Sequence, residues 1–343
     1  MKVMPIGRSA QRLGGGRMRI AAGCSVAALL LAGCSAVGGS AASGSAPAGS
    51  SITVAAVPGV GDAPLYVAWQ QGLFQQRGLT VHLRSYHTMA EVMTALHSGQ
   101  ANVAVGDYAD FFYEQEHDSS APMVVVADGY DAAPVIMNVL VSPDSPITTP
   151  QGLQGKTIGT AAPQVMPDIS GTPYSMETVA ASSALDNDGV QPNLVKWRPM
   201  PQNDLVNALR NHTVDAILVT EPEIFQAESQ IGARTILDAC SGETVNLPLD
   251  GYFAPRSFAE NHQAALLAFR SVMTRAQAAA VQPAPLQSVL RHYAGMSRET
   301  ASLITIGQYP TALKVVSLQR VADLMSFYGA LPQPLVVSHM LLP

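Results

Sequence analysis

The sequence predicts an α/β fold in two related lobes, and three observations carry that prediction. From Ile52 onward, short β-rich runs alternate with amphipathic helical stretches. The segment Glu91 to Phe112 aligns without a gap on Asp204 to Phe225, at a constant offset of 113 residues. The chain has 343 residues, beyond the usual size of a single domain. Its composition, 48% hydrophobic and 13% charged, excludes a disordered or highly charged polymer. A net charge of −6 argues against a nucleic-acid binder, which needs a basic face.

The N-terminus is organised differently from the rest. Lys2, Arg8, Arg12, Arg17 and Arg19 precede the first acidic residue, Asp62. Ile20 to Ala32 is a short apolar run ending in Leu31-Ala32-Gly33-Cys34. Basic region, short apolar run and small residues, in that order, form a secretory signal, and the run is too short for a permanent membrane span. Leu-Ala-Gly-Cys resembles the lipobox of bacterial lipoproteins, which implies a leader over 1–33 and a lipid on the Cys34 sulfur. Residues 34–51, nearly all Ser, Ala, Gly, Val and Pro, are expected to be a flexible tether. Cleavage before Cys34 would remove five positive charges and shift the net charge from −6 to −11. Of the three cysteines only Cys240 lies in the body, where a lone buried thiol is expected rather than a disulfide framework.

Within the body, Ile52 to Val57 reads as a strand, Pro58 to Pro64 as a Gly/Pro loop and Leu65 to Gln71 as a helix. A second strand is expected over Gly78 to Leu83, a helix over Met89 to His97 and a third strand over Ala101 to Val105. In the 113-residue repeat, Ala95-Leu96 falls on Ala208-Leu209, Asn102 on Asp215, Asp110 on Glu223 and Phe112 on Phe225. Each copy reads helix, turn, apolar strand, polar loop, helix. The half opening at Lys156 to Thr160 is therefore expected to copy the half opening at Ile52. Two such lobes side by side make a cleft, and open parallel sheets bind ligands beyond the carboxyl ends of their strands.

Several segments resemble one family. They are Pro64-Leu-Tyr-Val-Ala68 with Gly72-Leu-Phe74 and Gly78-Leu79; Ala95-Leu96, Gly99 and Ala101 to Gly106; Leu153-Gln-Gly-Lys-Thr157; Val214-Asp215-Ala216 with Glu221-Pro222; and Arg320 to Met325. In this order, behind a lipobox, they resemble the substrate-binding lipoproteins of ABC importers in the nitrate/sulfonate/taurine and thiamine-pyrimidine-precursor group. Asn102 departs from the Asp usual in that family, at a position expected to be structural. The resemblance implies a two-lobed type II periplasmic-binding-protein fold, each lobe a mostly parallel sheet flanked by helices. Lobe one would combine 52–141 with 249–343 and lobe two would be 142–248, with crossings near Leu140 to Pro146 and near Glu243 to Tyr252. It also implies ABC permease and ATPase partners, a membrane attachment through the Cys34 lipid, no cofactor and no enzymatic role.

Ligand contacts are expected on the loops joining strands to helices, whose helix N-termini offer free N–H groups. The candidates are Pro58 to Asp62 with Tyr66 one turn on; Tyr86 to Thr88; Gly106-Asp107-Tyr108; Thr160 to Tyr174; Glu221 in the loop Thr220 to Glu223; and Tyr252 at the return crossing. Thr88 to Glu91 and Thr220 to Glu223 both read as capping boxes. The tyrosines either stack on a flat ligand or belong to core and rim. Asp62, Asp107 and Glu221 are acidic, and no Lys or Arg occurs in these loops. A neutral or amino-bearing solute is therefore favoured, with anion binding at bare helix N-termini left open.

Nucleophile-elbow, zinc-helix, P-loop and dinucleotide motifs are missing from the sequence, and the eight histidines show no metal-ligand spacing. Asp186-Asn-Asp-Gly189 has part of a calcium-loop pattern but lacks its final acidic residue, because position 195 is Val. Two other classes stay open: an enzyme of pyrimidine-precursor or menaquinone-pathway type on the same fold, and a surface sensor or adhesin.

Overall fold

A computed structural model describes residues 46, 49–118, 120–163, 168–169 and 172–342. The leader, Cys34 and most of the expected tether lie outside these residues. In chain order the elements are β1 (Ser50–Ala56), α1 (Ala63–Gln70), β2 (Leu79–Ser85), α2 (Met89–His97), β3 (Val103–Asp107), α3 (Tyr108–His117) and β4 (Met123–Asp131). There follow β5 (Met137–Val141), β6 (Thr157–Ala161), the small pair β7 (Asp168–Ile169) and β8 (Thr172–Pro173), α4 (Met176–Asn187), β9 (Lys196–Met200), α5 (Leu205–Arg210), β10 (Ala216–Thr220), α6 (Glu223–Ile231) and β11 (Arg234–Asp238). The chain ends with β12 (Pro248–Pro255), α7 (Arg256–Ala280), α8 (Pro283–His292), α9 (Arg298–Leu303) and α10 (Val315–Phe327).

Two five-stranded sheets result, ordered β2-β1-β3-β12-β4 and β9-β6-β10-β5-β11. Both have three neighbouring parallel strands, an antiparallel fourth and a fifth antiparallel to the fourth. Four of five strands thus run one way in each lobe, as the family resemblance implies. The repeat is equally plain in register, since β3 and β10 start at Val103 and Ala216, 113 residues apart. Just before β3, Asn102 donates its N–H to Thr53 O (2.8 Å), while its Oδ1 accepts the Thr53 N–H (2.9 Å). Just before β10, Asp215 makes the same pair with Thr157, at 2.9 and 2.8 Å. A side-chain carbonyl or carboxylate serves equally well, so the Asn/Asp difference costs the second strand pairing nothing.

The interior strands are apolar on both faces because helices cover both faces, while the edge strands β2 and β9 are partly polar and exposed. All nine residues of β4 and all five of β5 are buried. Helix α7 packs along α1 and β4, and α8 along α1. The chain leaves the first sheet after Asp131 and joins the second at Met137; it returns between Asp238 and Pro248. These two connections lie side by side, joined by Ala132 N–H to Leu247 O (2.8 Å) and Ala239 N–H to Met137 O (2.9 Å). The first crossing therefore precedes the expected Leu140 to Pro146. The apolar run Met137 to Val141 is an interior strand of the second sheet, and the polar Ser142 to Ser145 stretch is the turn that follows it.

Other details sharpen the sequence expectations. Strand β1 begins at Ser50, so the last two residues assigned to the tether belong to the sheet. Asp186 to Gly189 closes α4, with Gly189 at a φ of +75° where a side chain would be strained. Cys240 is a free, buried cysteine, its thiol pushed up to about 12 by burial, with Asp238 adding to the rise. Among the described residues no helix is long and apolar enough to cross a membrane.

Candidate functional site

A cavity of about 350 Å³ opens where the carboxyl ends of the parallel strands of both sheets meet. The first lobe contributes Gly59 to Asp62 after β1, Gly106 and Asp107 at the end of β3, and Leu249 and Asp250 at the start of β12. The second contributes Ala161 and Ala162 after β6, Ser175 to Glu177 at the head of α4, and Thr220 and Glu221 after β10. Both lobes thus present the strand ends at which α/β sheets place ligands. Among the described lining residues there is no Lys, Arg, His or Cys.

The acidic wall is built with tight backbone constraints. A Cβ at Gly61 would lie 2.0 Å from Asp250 Oδ2, so any side chain there would displace this carboxylate from its present position. Asp62, 5% exposed, accepts the Gly59 N–H at Oδ1 (2.8 Å), while its Oδ2 is buried without a hydrogen-bond partner. Burial lifts the Asp62 carboxyl well above the usual range; the Gly59 bond opposes the rise and neighbouring Asp250 adds to it. Asp250 is pushed up to about 7, by burial first and then by Glu177 and Asp128. Asp110 also rises to about 7, by burial and then by Glu177, Asp250 and Glu114. Burial likewise raises Asp107, and Asp110, Glu177 and Asp250 reinforce it.

Two carboxylates tie the lobes reciprocally. Asp107 caps its own helix by accepting the Ala109 N–H at Oδ1 (2.7 Å), and its Oδ2 accepts the Met176 N–H at the head of α4 in the other lobe (3.3 Å). Glu221 accepts the Phe225 N–H of its own α6 at Oε2 (3.1 Å), and its Oε1 accepts the Thr305 N–H (3.1 Å). Thr305 lies just before Gln308, which bridges to Asp131 of the first lobe. Each carboxylate therefore satisfies one orphan N–H of a helix end at home and one donor across the cleft. Burial raises the Glu221 carboxyl, and these two bonds counter the rise.

The structure brings Asp62, Gly106, Asp107 and Glu221 of the sequence candidates to the cavity wall and sends the others elsewhere. Pro58 sits between the lining residues Val57 and Gly59 without lining the cavity. Thr88 forms the expected capping box with Glu91, leaving Met89 to face the cavity. Thr220 forms no such box: it ends β10, and α6 starts only at Glu223 after Pro222. Thr160 is buried, and Ala161 and Ala162 take its place.

The predicted tyrosines fill core, core-edge and interlobe contacts rather than the wall. Tyr66 stacks on Tyr293 with centroids 4.5 Å apart and its hydroxyl 3.2 Å from Ser85 Oγ. Tyr108 donates to buried Asp128 (2.9 Å), and Tyr174 donates to Tyr328 O (2.8 Å). Tyr86 packs at the core edge, and Tyr252 is fully buried against Phe269. The tyrosine that does line the cavity is Tyr130, whose hydroxyl accepts the Gly307 N–H (2.6 Å). Sequence reasoning missed it, together with Asp110, Glu177 and Asp250. Only Glu177 left a local signal, the Ser175-x-x-Thr178 pattern that forms a capping box in the structure.

The profile of the family described as NMT1/THI5 like matches residues 61–285, well over half of the chain. The chain belongs to the NMT1/THI5 like family. No curated protein matches it. Among solved structures, the periplasmic aliphatic sulphonate binding protein SsuA from Escherichia coli superposes with a TM-score of 0.70 at 17% identity, covering 85% of this chain and 97% of that one. The periplasmic nitrate-binding protein NrtA from Synechocystis PCC 6803 does so with a TM-score of 0.62 at 12% identity, covering 82% of each chain. The desulfurization enzyme DSZB gives a TM-score of 0.66 at 16% identity, covering 86% and 96%. This NMT1/THI5 like chain thus has the two-lobed periplasmic-binding-protein fold, an architecture that carries both binding proteins and an enzyme.

Proposed function

We propose that the protein is an exported solute-binding lipoprotein, held at the membrane through Cys34, that captures a small amino-bearing organic solute between its lobes and hands it to an ABC importer. One observation carries this reading: carboxylates from both lobes line the cavity and, among the described residues, no basic side chain does. A carboxylate inside a low-dielectric cleft favours a protonated nitrogen and repels an anion. Family membership and neighbours named for sulphonate and nitrate binding support capture as the role, while this wall argues for a solute of the opposite charge.

Closure would be a hinge motion at the paired connections after Asp131 and Asp238, with the solute touching both lobes. The enzyme reading draws support from DSZB, but the described wall offers no thiol or imidazole to act as nucleophile or general base. Thermal-shift and calorimetric titration of the purified protein against amines, aminopyrimidines, flavin-like heterocycles and sulfonates tests the assignment. Amines or amino-heterocycles are expected to raise the melting temperature. Tight sulfonate binding with no response to any amine would overturn it.

A further inference from the structure

We infer that the solute carries at least two positively charged nitrogens, one held by the first lobe and one by Glu177 of the second, as in a linear diamine. The inference rests on the reading of the cavity as a solute site and narrows the solute's class. Asp62, Asp107, Asp110 and Asp250 line one side, and Glu177 and Glu221 the other. Asp107 and Glu221 already have both oxygens engaged by backbone N–H groups. Asp62 does not, because its Oδ2 is buried in the wall with no partner among the described residues. An unpaired oxygen in that position is costly unless a donor reaches it, and a cationic nitrogen is the donor that the surrounding charge favours.

One such nitrogen beside Asp62 leaves Glu177, on the opposite side of the cavity, without a counter-charge from the solute. Glu177 stands in the first turn of α4 and acts electrostatically on Asp250, Asp110 and Asp107 across the cavity. A single cation seated beside Asp62 and Asp250 leaves the repulsion between Glu177 and the first lobe opposing closure. A second cation between them turns that repulsion into attraction. A divalent metal is the competing dication, but among the described residues no group of three or more His, Cys, Asp or Glu side chains is placed to hold one. The cavity volume, about 350 Å³, also suits an organic guest.

The test is calorimetric titration of the native protein with propane-, butane-, pentane- and hexanediamine, the matching monoamines and calcium chloride, repeated with Glu177→Gln. The best diamine is expected to bind roughly 10-fold to 100-fold more tightly than the monoamine of equal length. Glu177→Gln is expected to bring the best diamine down to the affinity of the matching monoamine measured on the same variant, with circular dichroism confirming the fold. Equal affinity for diamine and monoamine overturns the two-nitrogen inference and leaves the cationic site standing. Calcium binding in preference to every diamine also overturns it. No binding of any amine removes the proposed function as well.

Discussion

The two lobes share a strand order and a 113-residue register, yet they treat the two ends of their strands differently. At the amino ends of β3 and β10, Asn102 and Asp215 make the same pair of hydrogen bonds to Thr53 and Thr157. At the carboxyl ends the lobes diverge. The first supplies four acidic side chains to the cavity, while the second supplies two and the capped head of a helix. The amino ends hold the sheets together and tolerate little beyond an equivalent acceptor. The carboxyl ends carry the chemistry, and there a duplicated scaffold is free to differ.

The largest effect should come from the first-lobe cavity carboxylate with a buried oxygen that is partnerless among the described residues. Asp62→Asn is expected to weaken amine binding by about two orders of magnitude, because it unpairs a charge in a desolvated site. Isothermal titration reads this directly, and unchanged affinity would move the solute away from the first lobe.

Next comes Asp250, whose folded carboxyl titrates near 7 because of burial and Glu177. An acid raised in the folded state holds its proton longer there than in the unfolded chain. Its contribution to stability is therefore full below about pH 4 and is lost as pH rises toward 7. Asp110, also near 7, acts in the same direction. The ligand-free protein is expected to lose roughly 2–4 kcal/mol across that interval, and Asp250→Asn to recover a large part of it at pH 7. Urea melts at pH 5, 6 and 7 check both statements, and a stability that rises with pH would contradict them. Amine affinity should run the opposite way, rising toward pH 8 as the wall ionises.

Smaller effects separate the reciprocal carboxylates from the solute site. Asp107→Ala and Glu221→Ala each remove one bond at home and one across the cleft, at a cost of about 1–2 kcal/mol each. X-ray scattering should report a larger radius of gyration for both variants. A change confined to one of them would show that the two ties are not equivalent. The smallest effect belongs to the shared latch. Asp215→Asn retains the acceptor and loses only a contact to Lys156 at 3.9 Å, so less than about 0.5 kcal/mol should change.

Much of the fold was legible because it is written twice. The repeat aligned helix, strand and helix in both halves, and β3 and β10 follow it residue for residue. The first crossing was misplaced because Met137 to Val141 is an apolar run, and periodicity does not say which sheet such a run joins. Within the site, Asp62, Asp107 and Glu221 could be found because they sit on loops directly after predicted strands. Asp250 could not, since an antiparallel strand delivers it from far along the chain to the side of Gly61. The tyrosines were overvalued for a related reason. Ser85, Asp128 and the Tyr328 carbonyl already satisfy three of them, and such partners become visible only once the chain is folded.

The reciprocal bonds of Asp107 and Glu221 also bear on populations. Both join protein groups alone, so they favour the approached arrangement of the lobes whatever lies between them. A solute then needs less differential affinity to shift the balance, and its apparent dissociation constant approaches the intrinsic one. The same bias slows release, because the lobes must part before the solute can leave. On the proposed reading, the two carboxylates would thus tilt the balance between sensitivity at low solute concentration and speed of release through their bonds to the protein itself.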